Sequence, residues 1–203
     1  MTCRVSIVIP TLNEAATLER ALRHLSILEP PAWEILVVDG GSQDKTVALA
    51  EAAAVAVLVS QTAGRSVQMN QGAKAATGDV LCFLHADTLV PDDLVAIIDR
   101  TLAEPAIAAG GFVSLMTGTT KTWWLFALLN SLKTNLMPLI LRPRQYSQGF
   151  RLLFGDQVIF CRRQDFWDCQ GFDPTLPIME EADLCLKLMH YGRICQVNRT
   201  VQC

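Results

Sequence analysis

Charge is scarce in this chain of 203 residues: Asp, Glu, Lys and Arg make up 18% of it, against 51% for the hydrophobic set. A chain so apolar folds, because burying those side chains offsets the entropy of ordering the backbone. A positive excess is missing too. The 17 Lys and Arg stand against 20 Asp and Glu, a net charge of −3. That balance argues against a general nucleic-acid binder, whose affinity comes from neutralising phosphates with a basic face. The seven cysteines include no Cys-x-x-Cys pair, so zinc-knuckle and thioredoxin-type motifs are absent. Most of them fall in apolar stretches, where free Cys behaves as a small hydrophobe in a reducing compartment. No secretory leader pattern opens the chain at MTCRVSIVIP, and the expected location is the cytoplasm. Internal repeats and low-complexity tracts are lacking, and the length suits one domain, residues 1–203. Finally, no Gly-x-Gly-x-x-Gly follows a strand and no Gly-Lys-Ser/Thr loop occurs, which removes the two commonest nucleotide cradles.

What the chain does contain is alternation. Apolar β-branched runs at Val5–Ile9, Glu34–Val38, Val55–Val59 and Val80–Leu84 read as strands covered on both faces. Between them lie helical stretches, the first from Glu14 to Leu25 with Asn13 as its cap, then Lys45–Ala53, Arg65–Ala76 and Asp92–Ala103. This order predicts an α/β fold with a mostly parallel sheet flanked by helices. The second half is less regular. Strands are expected at Ala109–Leu115, Gln157–Cys161 and Ile194–Val197, helices at Thr122–Leu136 and Glu180–His190, and a loop at Tyr146–Leu153.

Polar residues gather where four successive strands end. Pro10, Thr11, Asn13 and Glu14 follow the first, and Asp39, Gly40, Gly41, Ser42 and Asp44 the second. Gly64 and Arg65 follow the third, and His85, Asp87 and Thr88 the fourth. In open parallel sheets ligands bind beyond the carboxyl ends of the strands, so this clustering points to a site there.

Four stretches, Ser6–Ala15 (SIVIPTLNEA), Val37–Thr46 (VVDGGSQDKT), Gly78–Thr88 (GDVLCFLHADT) and Gly155–Leu184, together with Gln68-Met69-Asn70, run in order along nearly the whole chain. They resemble the family 2 inverting glycosyltransferases of the GT-A fold, most closely a bacterial subgroup with a His-Ala-Asp-Thr metal motif. The resemblance implies a nucleotide-sugar-binding half at 1–104 and an acceptor and catalytic half at 105–203. It implies an enzyme that moves a sugar from a UDP- or GDP-linked donor to an acceptor the sequence does not identify. The implied donor contacts are Pro10, Thr11, Asn13, Glu14, Asp39, Gly41, Ser42, Gly64, Arg65, Gln68, Asn70, His85, Asp87 and Asp156, with Asp39 accepting a hydrogen bond from the base.

The family offers Asp-x-Asp at the end of strand four; here the residues are His85-Ala86-Asp87. Side chains at i and i+2 of extended backbone share a face, so both can address one divalent cation, Mg²⁺ or Mn²⁺. The resemblance makes Asp87 the ligand and leaves His85 as a weaker ligand, a phosphate contact or a support behind the ligands. Displacement with inversion needs a carboxylate to take the acceptor proton. In Glu180-Glu181 the second position carries that role in the family, leaving Glu180 to orient its neighbours or touch the donor sugar. Two other readings stand beside this one. A non-catalytic sugar-nucleotide binder would share the site but not hydrolyse donor. A nucleotidyltransferase would show a Gly-rich basic loop after strand one, which Thr11-Leu12-Asn13-Glu14 lacks.

The most apolar stretch, Thr122–Leu141, approaches the length of a membrane span but is interrupted by Asn130, Lys133, Asn135 and Pro138. Asn130, Lys133 and Thr134 share one helical face, away from Trp123, Phe126 and Leu129, and Lys121, Arg142 and Arg144 flank the segment. A helix packed on the sheet beside the acceptor, or a homodimer contact, is the expectation; a peripheral place for 121–144 at the inner face of a membrane is the alternative.

Overall fold

β1 (Val5–Thr11) is the centre around which the first half is built. Its side chains alternate as a two-residue repeat requires: Val5, Ile7 and Ile9 enter one buried cluster and Val8 the other. The computed structural model describes residues 3–115, 124–176 and 178–203. After β1 come α1 (Leu18–Leu25), β2 (Glu34–Asp39), α2 (Thr46–Ala52), β3 (Ala56–Val59), α3 (Arg65–Ala75), β4 (Val80–Phe83) and α4 (Leu94–Leu102). The second half supplies β5 (Ile107–Leu115), α5 (Trp124–Leu141), α6 (Pro143–Ser147), a 3₁₀ turn at Gly155–Gln157, β6 (Ile159–Arg162), α7 (Arg163–Asp168), α8 (Glu180–Leu188) and β7 (Arg193–Gln202).

The described strands form one seven-stranded sheet in the order β3-β2-β1-β4-β6-β5-β7. β1, β2, β3 and β4 run parallel, and β5 pairs parallel with β7. β6 is antiparallel to both β4 and β5. The expected mixed, mostly parallel sheet is therefore present, and its two halves join through β4 and β6. Leu18 and Leu22 of α1 and Leu94 and Ile98 of α4 cover one face. Met69 and Ala73 of α3, Phe166 of α7 and Leu184 and Leu188 of α8 cover the other. Gly72 lets α3 lie directly on β1; any Cβ there would drive into Val8 and stand 3.0 Å from Val38.

Several boundaries differ from expectation for physical reasons. Asn13 does not cap a helix: it takes a left-handed conformation (φ 58°) and α1 begins at Leu18 with Thr17 as N-cap. β1 continues through Pro10, because β4 accompanies it only as far as Val8 and a missing N–H beyond that point breaks no ladder on that side. α5 runs on past Pro138 to Leu141. The carbonyl of Thr134, deprived of its usual donor at position 138, accepts from the Leu152 N–H at 3.3 Å instead. Part of the expected loop at Tyr146–Leu153 belongs to α6, and β7 extends over ten residues rather than four. The start of the expected apolar helix, with Lys121, Thr122 and Trp123, lies outside the described residues, as do the side chains of Phe126 and Asn130.

Candidate active site

The order of strands reverses between β1 and β4: β2 lies on one side of β1 and β4 on the other. At such a point the connections leave in opposite directions and a crevice opens at the carboxyl ends. A cleft of about 260 Å³ occupies that position, lined by Pro10, Thr11, Leu12, Glu14, Arg65, Gln68, His85, Ala86 and Asp87.

Two loops form its rim and are joined by four hydrogen bonds. The Asn13 N–H donates to Ser42 Oγ (2.8 Å) and the Gln43 N–H to Asn13 Oδ1 (2.8 Å). The Glu14 N–H donates to Thr46 Oγ1 (2.8 Å) and the Ala15 N–H to Asp44 Oδ2 (3.1 Å). Beneath them Asp39 is buried and accepts from the Gly41 and Ser42 N–H groups, from Ser42 Oγ and from Thr11 Oγ1. Burial opposes its charge, but these donors, those of Ser42 foremost, outweigh it and hold the carboxyl below its ordinary value of 3.8. Gln68 on α3 reaches under both loops, donating to the Thr11 carbonyl at 2.8 Å and the Val38 carbonyl at 2.7 Å.

The antiparallel direction of β6 completes the site. Because Ile159 pairs with Phe83, the turn preceding β6 stands next to the residues that follow β4. Gly155 consequently lies against His85; a Cβ on it would be 2.8 Å from His85 Nε2 and closer still to Glu181 Oε1. Glu180 and Glu181, both buried in the first turn of α8, face Arg65 from the start of α3. Arg65 Nε donates to Glu180 Oε1 at 2.5 Å, and Nη2 lies 3.3 Å from Glu181 Oε1. Arg65 Nη1 is 3.5 Å from His85 Nε2. Glu180 Oε2 and Glu181 Oε1 are buried without a hydrogen bond, an unmet capacity that a bound hydroxyl would fill.

Burial pushes the Glu181 carboxyl above its ordinary value of 4.5; Arg65 pulls against this and Glu180 and Asp156 add to it. Burial, and then Arg65, hold His85 below its ordinary 6.5 despite Asp87, Asp156 and Glu180. The imidazole is thus neutral at pH 7, with a lone pair to offer. Among the described residues no group of three His, Cys, Asp or Glu side chains could hold a metal ion unaided. Asp87 and His85 do line one cleft together. They fit a cation that takes its other ligands from phosphate oxygens and water, as Mg²⁺ characteristically does.

A family model, glycosyl transferase family 2, matches residues 6–166. The chain belongs to that family. Among similar proteins, an undecaprenyl-phosphate 4-deoxy-4-formamido-L-arabinose transferase of Pseudomonas aeruginosa is 35% identical over 107 residues, covering 47% of this chain and 32% of the relative. The chain thus spans about a third of that relative's length. The fold matches a mannosyltransferase of Pyrobaculum calidifontis in complex with GDP-Man and Mn²⁺, with TM-score 0.79 and 20% identity over 100% of this chain and 57% of the other. It also matches glucosyl-3-phosphoglycerate synthase from Mycobacterium tuberculosis with Mn²⁺, UDP and phosphoglyceric acid, with TM-score 0.68 and 22% identity over 98% and 69% of the two chains. These likenesses carry the GT-A fold.

In this family 2 chain seven of the sequence-derived candidates line the cleft: Pro10, Thr11, Glu14, Arg65, Gln68, His85 and Asp87. Asn13, Ser42 and Gly41 build its rim, and Asp39 braces the rim from below. Gly64 is the N-cap of α3, at φ 158°. Asn70 faces elsewhere: its amide donates to the Phe172 carbonyl at 2.7 Å and accepts from the Phe172 N–H at 3.0 Å, tying α3 to the segment before α8. Gly155, Gln157 and Thr46 also shape the site and were not among the candidates, whereas Asp44 belonged to the polar cluster after the second strand. Buried Gln157 accepts from the Phe154 N–H and donates to Thr134 Oγ1, fixing the turn against α5. The stretch Gly155–Leu184 was the available signal for the first two, and the stretch Val37–Thr46 for Thr46.

Proposed function

We propose that this family 2 chain transfers a sugar, with inversion, from a UDP- or GDP-linked donor to an acceptor hydroxyl. The observation carrying this reading is the convergence of Arg65, His85, Asp87, Glu180 and Glu181 around one cleft at the point of strand reversal. The nucleoside lies against Pro10, Thr11 and Glu14, on the rim that Asp39 holds in shape. Arg65, at the amino end of α3 where the helix dipole already favours an anion, turns from the two glutamates to the diphosphate. Asp87, with His85 beside it, holds the divalent cation, Mg²⁺ or Mn²⁺. That ion, when bound, offsets the negative charge that grows on the departing diphosphate.

The bond between the anomeric carbon and the diphosphate oxygen breaks, and the acceptor oxygen attacks from the opposite face. Glu181 takes the hydroxyl proton, so the nucleoside diphosphate leaves with the electron pair of the broken bond. Its raised proton affinity suits that task, and the neighbouring Glu180 raises that affinity further. The Pyrobaculum neighbour, bound to GDP-Man and Mn²⁺, supports the donor class and the cation.

Incubating the chain with UDP- and GDP-sugars and Mn²⁺ tests the reading through slow release of nucleoside diphosphate to water. Release of one nucleotide, abolished by Asp87→Ala, is expected. Binding of a nucleotide sugar without any release would favour a non-catalytic binder and overturn the proposal.

A further inference from the structure

Between Glu104 and Asp156 the chain carries no acidic residue, but it has Lys121, Lys133, Arg142, Arg144 and Arg151. A segment of charge +5 is thus set in a chain whose net charge is −3. Within this segment α5 turns apolar side chains to solvent: Leu132 and Leu136 are each 44% exposed, Ile140 66% and Leu141 69%. Lys133, Arg142 and Arg144 are exposed beside them. An apolar groove of about 170 Å³, lined by Met137, Leu141, Phe150 and Leu186 with Arg142 as its charged member, adjoins the same face. None of these residues lines the donor cleft. Among the described residues no helix is long and apolar enough to cross a membrane.

From this combination we infer that the exposed face of α5 and the start of α6 docks on a membrane surface bearing anionic phospholipid headgroups. Leu136, Ile140 and Leu141 enter the boundary between headgroups and acyl chains, and Lys133, Arg142 and Arg144 meet the lipid phosphates. Charge complementarity decides the occupant. A symmetric pairing of two copies would set the same basic segment against itself, whereas an anionic surface neutralises it. The inference is independent of the sugar-transfer reading, since it concerns a different face and needs no donor.

Co-sedimentation of the whole chain with phosphatidylcholine vesicles, and with vesicles of phosphatidylcholine and phosphatidylglycerol at about 3:1, tests it. Binding to the anionic vesicles alone is expected, and about 0.5 M NaCl should abolish it because screening shortens the reach of each charge. Arg142→Gln with Arg144→Gln should weaken binding roughly 25-fold, at about fivefold per charge removed. Ile140→Ser with Leu141→Ser should weaken it as well, with circular dichroism of both variants unchanged. The salt and lipid dependence of the wild type tests the inference without any variant. Equal binding to neutral vesicles, or no binding to either kind, would overturn it. So would a solution dimer that dissociates on Ile140→Ser with Leu141→Ser while vesicle binding is absent.

Discussion

Glu181 is 6% exposed and lies 3.3 Å from the Arg65 guanidinium, but without hydrogen-bond geometry. Burial dominates and raises its proton affinity. Replacing it by Gln should lower kcat by about 10²–10⁴ and leave donor affinity nearly intact, which turnover and nucleotide titration would separate. The sign of the pH effect follows. In the proposed transfer Glu181 takes a proton only when ionised, so kcat/KM should fall as pH drops, with its midpoint above the ordinary carboxylate value of 4.5. A midpoint at or below that value would remove Glu181 from the role. Gly155 gives a second prediction at this scale. A methyl group at that position meets His85 and Glu181 together, so Gly155→Ala should lower kcat and weaken nucleotide binding in Mn²⁺ as well, which turnover and nucleotide titration would show.

Among the elements, α3 does more than its sequence announces. The resemblance implied donor contacts at both Gln68 and Asn70. Gln68 lines the cleft and also links the backbone carbonyls of β1 and β2, whereas Asn70 grips the Phe172 peptide more than a hundred positions along the chain. Partners that distant, and of backbone type, leave no trace in local spacing. Gln68→Leu should therefore cost about 2 kcal/mol, at roughly 1 kcal/mol for each lost bond. In a chain of this length that lowers Tm by about 4–8 °C, as calorimetry would show; an unchanged Tm would deny the linking role. The direction of β6 was likewise hidden, since a short run of three apolar residues, Ile159–Cys161, reads the same either way. The passage of α5 through Pro138 depended on Leu152 supplying the missing donor. By contrast β2, α3 and β5 were legible to within about two residues, because buried β-branched runs and Gly or Pro punctuation act locally.

Over the whole molecule, the sheet gathers distant stretches of chain at one rim, and the sequence revealed that gathering only as polar clusters at strand ends. Those clusters were enough to place Arg65, His85 and Asp87 in one cleft, because parallel strands all end on the same side. They could not say which carboxylates face ligand and which brace loops, and Asp39 turned out to be held by four internal donors. Such bracing has a consequence for acid stability. Asp39 is held below 3.8 and Glu34 below 4.5 in the folded chain, in both cases by hydrogen bonds that overcome burial. Their contribution is present above those ordinary values and is lost as pH falls through the depressed ones. Stability should therefore drop as pH is lowered below about 4, and in Asp39→Asn the urea midpoint should fall less steeply over that interval.

The proposed function makes the cleft between the ends of β1 and β4 a metal-assisted nucleoside-diphosphate site. Calorimetric titration of UDP and GDP into the chain in Mn²⁺ buffer, repeated with Asp87→Ala, tests it most directly. One site is predicted for one of the two nucleotides in the wild type, with affinity falling at least tenfold in Asp87→Ala. Equal affinity in the two proteins, or no binding of either nucleotide to the wild type, would contradict it.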